Sequence, residues 1–173
     1  QSFMEMFFAL IGGIGLMFVI LVLAFNSIRY SAYLLSAVPL SLIGVFGGLT
    51  LTGQTLSFSS LLGIIALAGV IINHAIILMD SILRRMRESG EKDFEEIVVA
   101  SATSRLRPIF LTTITTVIGM IPLIFVSALW GPLAFAILFG LSFSMTLTLV
   151  LIPLLVYRWP GKLPLGIVHS NKK

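Results

Sequence analysis

Five long apolar runs constrain the fold of this chain more than any other feature of its sequence. A helix needs roughly 20 mostly apolar residues to cross a bilayer, and each run reaches that length. Only 10% of the 173 residues are charged, whereas soluble domains carry about 25%. Apolar and polar residues do not alternate at period two, as the strands of a membrane barrel require. The sequence therefore predicts an all-α integral membrane protein, with one transmembrane domain over 1–157 and spans at about 6–28, 33–52, 56–83, 108–129 and 132–157.

The basic residues lie in alternate loops, and this pattern predicts the orientation of the helices. With five crossings, all 11 Lys and Arg residues fall on one side of the membrane. Because basic loops remain in the cytoplasm, we expect the N-terminus outside and a basic cytoplasmic tail over 158–173. The net charge of +4 then belongs to a solvated cytoplasmic face, and nucleic acid is not an expected partner.

The longest loop is predicted to contain a short amphipathic cytoplasmic helix over about 93–106. Asp93 is a suitable N-cap, and Glu96 three residues later completes a capping-box pattern. Apolar residues at helical spacing form one face, which we expect to contact membrane lipid at the cytoplasmic surface. Pro108 suits the first turn of the next span, where its missing N–H costs nothing.

Small residues recur every four positions on two of the predicted spans. This spacing gives Gly44 and Gly48 on the second span, and Ala136, Gly140 and Ser144 on the fifth. In lipid, small side chains let two helix backbones approach closely. These five positions are therefore predicted helix contacts.

Enzyme chemistry has no support in the sequence. The chain has no cysteine and shows no glycine-rich phosphate loop, HExxH motif, carboxylate pair within a span or Ser/His/Asp set. With two histidines, a permanent metal site is not expected, and neither is a cofactor. The chain begins at Gln1 without an initiator Met or a signal peptide, so we expect either a segment of a longer chain or a processed chain.

Polar residues inside the third span are the first candidates for function, because polarity within a membrane is costly. Residues seven apart share one small, polar face, as expected of a helix that looks into a bundle: Ser59, Ala66, Asn73 and Asp80. His74 lies about 100° further round the helix. The ordinary alternatives are that the Asn only joins two helices, that the His only packs, and that Asp80 pairs with Arg84.

The fourth span carries the second set of candidates. In "RLRPIFLTTITTVIGMIP", Arg105, Thr112 and Gly119 are again seven residues apart, and Thr115 and Thr116 add hydroxyls. A Thr within a helix often only bonds the carbonyl four residues before it. A structural role for each of these hydroxyls therefore stays open at this point.

Three stretches of the sequence resemble the resistance–nodulation–division (RND) efflux permeases: "FNSIRY", "VPLSLIGVFGGLTLTGQTLSFSSLLGIIALAGVIINHAIILMDSI" and "RLRPIFLTTITTVIGMIPL". The resemblance is carried by the Gly-Gln-x-Leu turn, the "ALAG" run and RLRP followed by Thr pairs. It covers about 25–153 and corresponds to the last five helices of the second half of such a permease. It implies half of an RND-type helix bundle in a bacterial inner membrane, with the N-terminus in the periplasm.

The resemblance also implies a function and partners. It indicates the membrane segment of a proton antiporter that exports hydrophobic or amphiphilic compounds, which is a secondary transporter and not an enzyme. The implied partners are the remainder of the same permease chain, further copies in a homotrimer, a periplasmic adaptor and an outer-membrane channel. The alternatives are a heavy-metal or export-type relative in the same superfamily, and a non-transporting truncated or structural membrane module.

The proton relay of the family combines paired Asp residues in the first half with a Lys, an Arg and a Thr in the second half. Motif by motif, the Arg falls at Arg105 and the Thr at Thr112. The Lys position falls on Asn73, and His74 stands where the family commonly has Asn, so the chain departs from the family pattern here. Our hypothesis is that Asn73 orients a carboxyl group, which an amide can bond in either protonation state. His74, whose reference pKa lies near neutral pH, would supply the switchable charge.

Overall fold

In a computed structural model that describes residues 2–88 and 94–159, the chain forms five long helices. They are α1 (Ser2–Phe25), α2 (Ile28–Leu51), α3 (Phe58–Glu88), α4 (Phe94–Val126) and α5 (Gly131–Arg158). All five are long and apolar enough to cross a membrane. The predicted all-α fold class with five long apolar helices is confirmed.

The fifth helix lies at the centre of the bundle, where it packs against α2, α3 and α4. Within the described residues, α1 contacts only α2 and α3, and most of its side chains are uncovered. The core is apolar, and Leu67, Ile71 and Leu78 of α3 are completely or almost completely buried in it. Many large apolar side chains also point outward, as expected of helices that are surrounded by lipid.

Close contacts at small residues fix the direction of α3 relative to α5. Gly63 lies against Leu133 and Ala136, and one turn later Leu67 lies against Gly140. Because the contacts advance in the same sense along both helices, α3 and α5 run parallel. Gly63 allows this approach because a Cβ there would stand only 3.0 Å from the Leu133 carbonyl oxygen.

Two glycines of α2 bring that helix equally close to α5. Gly44 lies against Phe143, and Gly48 lies against the ring of Phe139. The contacts advance in opposite senses, so α2 and α5 are antiparallel. The predicted small positions of α5, namely Ala136, Gly140 and Ser144, are all buried.

The turn between α2 and α3 explains one motif of the sequence, the Gly-Gln pair. Gly53 has a φ of 68°, a left-handed conformation that costs a residue with a Cβ roughly 1–2 kcal/mol. Its N–H donates to the Thr50 carbonyl at 3.3 Å, and the Gln54 N–H donates to the Leu49 carbonyl at 2.9 Å. These two bonds form a Schellman motif, which satisfies carbonyls that the end of the helix leaves free.

Helix α4 differs from the sequence-based expectation. A surface helix over 93–106 and a separate span starting at Pro108 were expected, but residues 94–126 form one continuous helix with Pro108 inside it. Pro108 removes a single backbone N–H, and this loss does not end the helix, which continues on both sides of the proline. The predicted N-cap Asp93 and the predicted tail beyond Trp159 lie outside the described residues.

Candidate functional site

The polar stripe of α3 is uncovered by the other described helices. Ala66, Asn73 and Asp80 are exposed, whereas Ser59 is buried near the start of the helix. The expectation that this stripe packs inside a bundle is not met within these five helices, and it stays a prediction. The neighbouring described helices contact α3 on its other faces, where small residues such as Gly63 allow close packing.

The threonines of α4 bond their own helix. Thr112 Oγ1 donates to the Pro108 carbonyl at 2.9 Å, Thr115 Oγ1 to the Leu111 carbonyl at 3.0 Å, and Thr116 Oγ1 to the Thr112 carbonyl at 2.8 Å. Thr112 and Thr115 are exposed, and Thr116 is half-buried. Each hydroxyl oxygen keeps lone pairs that can accept a further hydrogen bond.

The structure places Asn73 and Thr112 at similar levels on neighbouring helices. Near the ends of α3 and α4 that carry most of the basic residues, Ser101 Oγ donates to the Ile97 carbonyl of its own helix at 2.7 Å and lies 3.5 Å from the Ser81 carbonyl oxygen of α3. α4 and α5 are antiparallel neighbours joined by a short connection, so α4 also runs antiparallel to α3. Asn73 lies eight residues before Ser81, and residue 109 lies eight residues after Ser101, so these two positions are at the same level. Thr112 is three residues beyond residue 109, about 4.5 Å further along the axis. Arg105 is half-buried and lies about 6 Å to the other side of that level.

His74 faces away from this polar stripe. It is only 4% exposed, and its buried Nε2 atom has no hydrogen-bond partner within residues 2–88 and 94–159. Eleven residues separate it from Gly63, which is close to three full turns, so His74 lies within about 20° of the side of α3 that contacts α5. The structure therefore separates Asn73 and His74, which the sequence analysis had paired in one relay.

The charges at the end of α3 form a different ion pair from the expected one. Arg84 Nε lies 2.9 Å from Glu88 Oε1, and the expected Arg84–Asp80 pair is not formed. Both pairs are four residues apart, but Glu88 has one more methylene group than Asp80 with which to reach the guanidinium. The pair is largely exposed, with side chains 72% and 63% accessible, so its contribution to stability is small.

The sequence analysis missed Thr113, the neighbour of the candidate Thr112. Thr113 is 4% exposed, and its Oγ1 is buried without a partner. The spacing of four from the buried Ile109 is the signal that could have placed it on the packed face of α4. Among the described residues, no three His, Cys, Asp or Glu side chains come close enough together to hold a metal ion.

Comparisons with known proteins find relatives over nearly the whole chain. The sequence profile of the AcrB/AcrD/AcrF family matches residues 2–159. The cobalt-zinc-cadmium resistance protein CzcA of Cupriavidus metallidurans is 31% identical over 147 residues, which are 83% of this chain and 14% of CzcA. The multidrug resistance protein MdtC of Salmonella paratyphi A is 28% identical over 177 residues, which cover 100% of this chain and 17% of MdtC.

A solved structure is similar in both fold and sequence. A crystal structure of a heavy metal efflux pump superposes with a TM-score of 0.74 and 37% sequence identity, covering 84% of this chain and 15% of the pump. The chain thus spans only about a sixth of the length of these relatives.

Proposed function

Since the chain belongs to the AcrB/AcrD/AcrF family of RND permeases, we propose that it is the membrane segment of a proton-driven efflux transporter. In this proposal the permease exports hydrophobic or amphiphilic compounds from a bacterial inner membrane. The N-terminus of the segment faces the periplasm and its C-terminus the cytoplasm, because all basic residues then lie inside. Such a protein is a secondary transporter and not an enzyme.

The observation that carries the proposal is the exposure of Asn73 and Thr112 at similar levels on the neighbouring helices α3 and α4, with the half-buried Arg105 near the same level. We call these three polar side chains the relay face. Polar groups that face lipid are costly, and within membranes they face other protein or a water-filled cavity. We infer that the remainder of the permease chain covers the relay face and presents carboxyl groups to it. Asn73 would then bond a carboxyl in either protonation state, and Arg105 would supply the fixed positive charge.

The assembly follows from the same family membership. We propose a homotrimer of the complete permease that works with a periplasmic adaptor and an outer-membrane channel. The outward apolar side chains of the five helices then contact membrane lipid or neighbouring helices of the same assembly.

The test uses the complete permease that contains this segment, produced in cells whose own efflux pumps are deleted. Thr112→Ala should abolish resistance to amphiphilic compounds at unchanged protein level, because it removes the hydroxyl from the relay face. The matched control is Thr115→Ala, since Thr115 is likewise exposed and bonded to its own helix. Equal resistance of the two variants would contradict a relay role for Thr112.

A heavy-metal cargo is the second candidate. It is favoured by the 31% identity with CzcA and the 37% identity with the heavy metal efflux pump. The two candidates differ in the resistance that the same cells gain. Growth in cobalt, zinc or cadmium salts, with no gain against amphiphilic compounds, would assign a metal cargo and contradict the first candidate.

A further inference from the structure

His74 presents an unusual combination of depth and missing hydrogen bonds. Its side chain is 4% exposed and its Nε2 atom has no partner among the described residues. An unsatisfied polar atom in a buried position costs about 1–3 kcal/mol. A buried imidazole nitrogen that remains in the core therefore requires a partner that occupies the same place.

The register of α3 and α5 identifies the buried polar groups of α5 at the level of His74. Leu67 lies against Gly140, and the helices run parallel, so seven further residues bring His74 to the level of residue 147. Seven residues are nearly two turns, and His74 therefore keeps the direction of Leu67 to within about 20°. At that level α5 buries two hydroxyls, Ser144 and Thr148, which are 3% and 1% exposed.

These two hydroxyls also lack ordinary partners. Most described Ser and Thr hydroxyls donate to a carbonyl of their own helix, as Ser142 Oγ does to the Leu138 carbonyl at 2.7 Å. Ser144 and Thr148 instead face each other across 3.5 Å, which is longer than the 2.5–3.0 Å of typical O–H···O bonds. Two hydroxyl groups without a short hydrogen bond thus lie in the core at the level of the imidazole.

Helix α2 closes the same layer from the other side. Ser41 precedes Gly44 by three residues, and the antiparallel contacts of Gly44 with Phe143 place it near the level of residue 146. It is 1% exposed and donates to the Val38 carbonyl at 2.6 Å, which leaves its oxygen free to accept. Three helices thus each bring a buried polar side chain to one level of an otherwise apolar core.

We propose that His74, Ser144 and Thr148 bind a water molecule between α3 and α5. A buried water needs two to four polar partners, and these three side chains provide them. Water can donate to Nε2 or accept from it, so either neutral tautomer of the imidazole fits. The hydroxyls of Ser144 and Thr148 complete the bonds on the side of α5.

This water site gives His74 a task apart from the relay face. It bonds α3 to α5 at one rotational position, and that position sets the direction of Asn73, which is about 100° further round α3. The site does not depend on the proposed transport function, because it is defined by the packing of α3 on α5. The experiment on the water site can therefore fail while the transport proposal holds, and the transport proposal can fail while the water site holds.

The experiment is water-edited solid-state NMR on the complete permease in lipid bilayers, with ¹⁵N-labelled histidine. The His74 signal is assigned by its loss in His74→Gln. Magnetisation from water protons should reach Nε2 of His74 in the unaltered protein. It should be lost in the double variant Ser144→Ala/Thr148→Val, which removes both hydroxyls with little change of shape.

The matched control is Ser142→Ala/Thr146→Val, because Ser142 and Thr146 are exposed residues of the same helix. This variant should keep the transfer to His74. Absence of transfer in the unaltered protein, or full transfer in Ser144→Ala/Thr148→Val, would overturn the proposal. Should the double variant fail to fold, Thr148→Val alone, which keeps the side-chain shape, should weaken the transfer, and an unchanged signal again rejects the site.

Discussion

Two adjacent threonines on α4 have opposite surroundings. Thr112 is exposed and bonded to its own helix, and Thr113 is buried with a hydroxyl that has no partner. Exposure and bonding decide which property of the protein each side chain can affect. Thr112 is available to another part of the permease, whereas Thr113 acts on the stability of the bundle.

Thr113→Val should maintain or increase stability, because valine has the same shape and removes an unsatisfied hydroxyl. Relief of such a group is worth about 1 kcal/mol. The measurement is the unfolding of the complete permease in detergent with increasing denaturant. A destabilisation of more than about 1 kcal/mol would show that the hydroxyl has a partner outside the described helices.

Asn73→Ala and His74→Asn should have different effects, since the two side chains face different directions. Asn73→Ala should reduce proton-coupled efflux by the complete permease in liposomes and leave its stability nearly unchanged. His74→Asn should lower stability by about 1–3 kcal/mol, because it exchanges a packed imidazole for a smaller polar group. Normal efflux by Asn73→Ala would remove Asn73 from the relay. Unchanged stability of His74→Asn would contradict its placement in the core.

The sequence predicted the two sets of candidate residues, but not which of them the neighbouring helices cover. A spacing of seven defined the stripe that contains Asn73, and the offset of His74 by about 100° from Asn73 followed from helix geometry. Whether a stripe is covered depends on which faces of α3 the neighbouring helices contact. Close contacts between helices, such as that of Gly63 with Leu133, determine those faces, and no local pattern in α3 predicts them.

At the scale of helices, the crossing of α2 over α5 depends on a tight contact. Gly48 lies against the ring of Phe139, and a Cβ there would overlap that ring. At the adjacent Gly47, a Cβ would have no atom of another described helix within 4 Å. The two glycines therefore form a natural pair for measuring what the close approach contributes.

Gly48→Ala should destabilise the permease by about 1–3 kcal/mol, the usual cost of an overpacked core. Gly47→Ala should be neutral or slightly stabilising, because alanine is the better helix former. Denaturant unfolding in detergent measures both. Phe139→Leu should restore part of the stability in the Gly48→Ala background, and equal stability of the two alanine variants would refute the packing of α2 on α5.

The lengths of the apolar runs predicted that five helices exist, but not where each helix begins and ends or which helices contact each other. The GxxxG spacing pointed to Gly44 and Gly48 as helix contacts, yet it gave no sign that Phe139 and Phe143 lie opposite them. Pro108 led to a predicted break that α4 does not contain. The N–H groups missing at Pro108 and Pro122 are a small loss in a helix of 33 residues, and local sequence cannot weigh that loss against the contacts α4 makes with α3 and α5.

For the molecule as a whole, the orientation in the membrane is a prediction from charge. Single-cysteine variants can test it directly, because this segment contains no cysteine of its own. In a permease otherwise freed of cysteine, Gln54→Cys should react with a membrane-impermeant maleimide from the periplasmic side. Arg87→Cys, at the exposed basic end of α3, should react only after the membrane is opened. Reaction of Arg87→Cys from the periplasmic side, with Gln54→Cys reacting only after the membrane is opened, would show that the topology is the opposite of the predicted one.

The unbroken course of α4 has a mechanical consequence. Its 33 residues extend about 50 Å, whereas the hydrocarbon layer of a bilayer is about 30 Å thick. Phe94, at the start of the helix, stacks its ring on that of Tyr157, with 6.1 Å between the ring centroids. Thr112 lies about 27 Å further along the helix axis. Pro108, about one turn before Thr112, and Pro122 further along each remove one hydrogen bond of this helix. Because the helix runs unbroken past both prolines, we expect a tilt at its surface end to move Thr112 as well, at the depth where Asn73 lies.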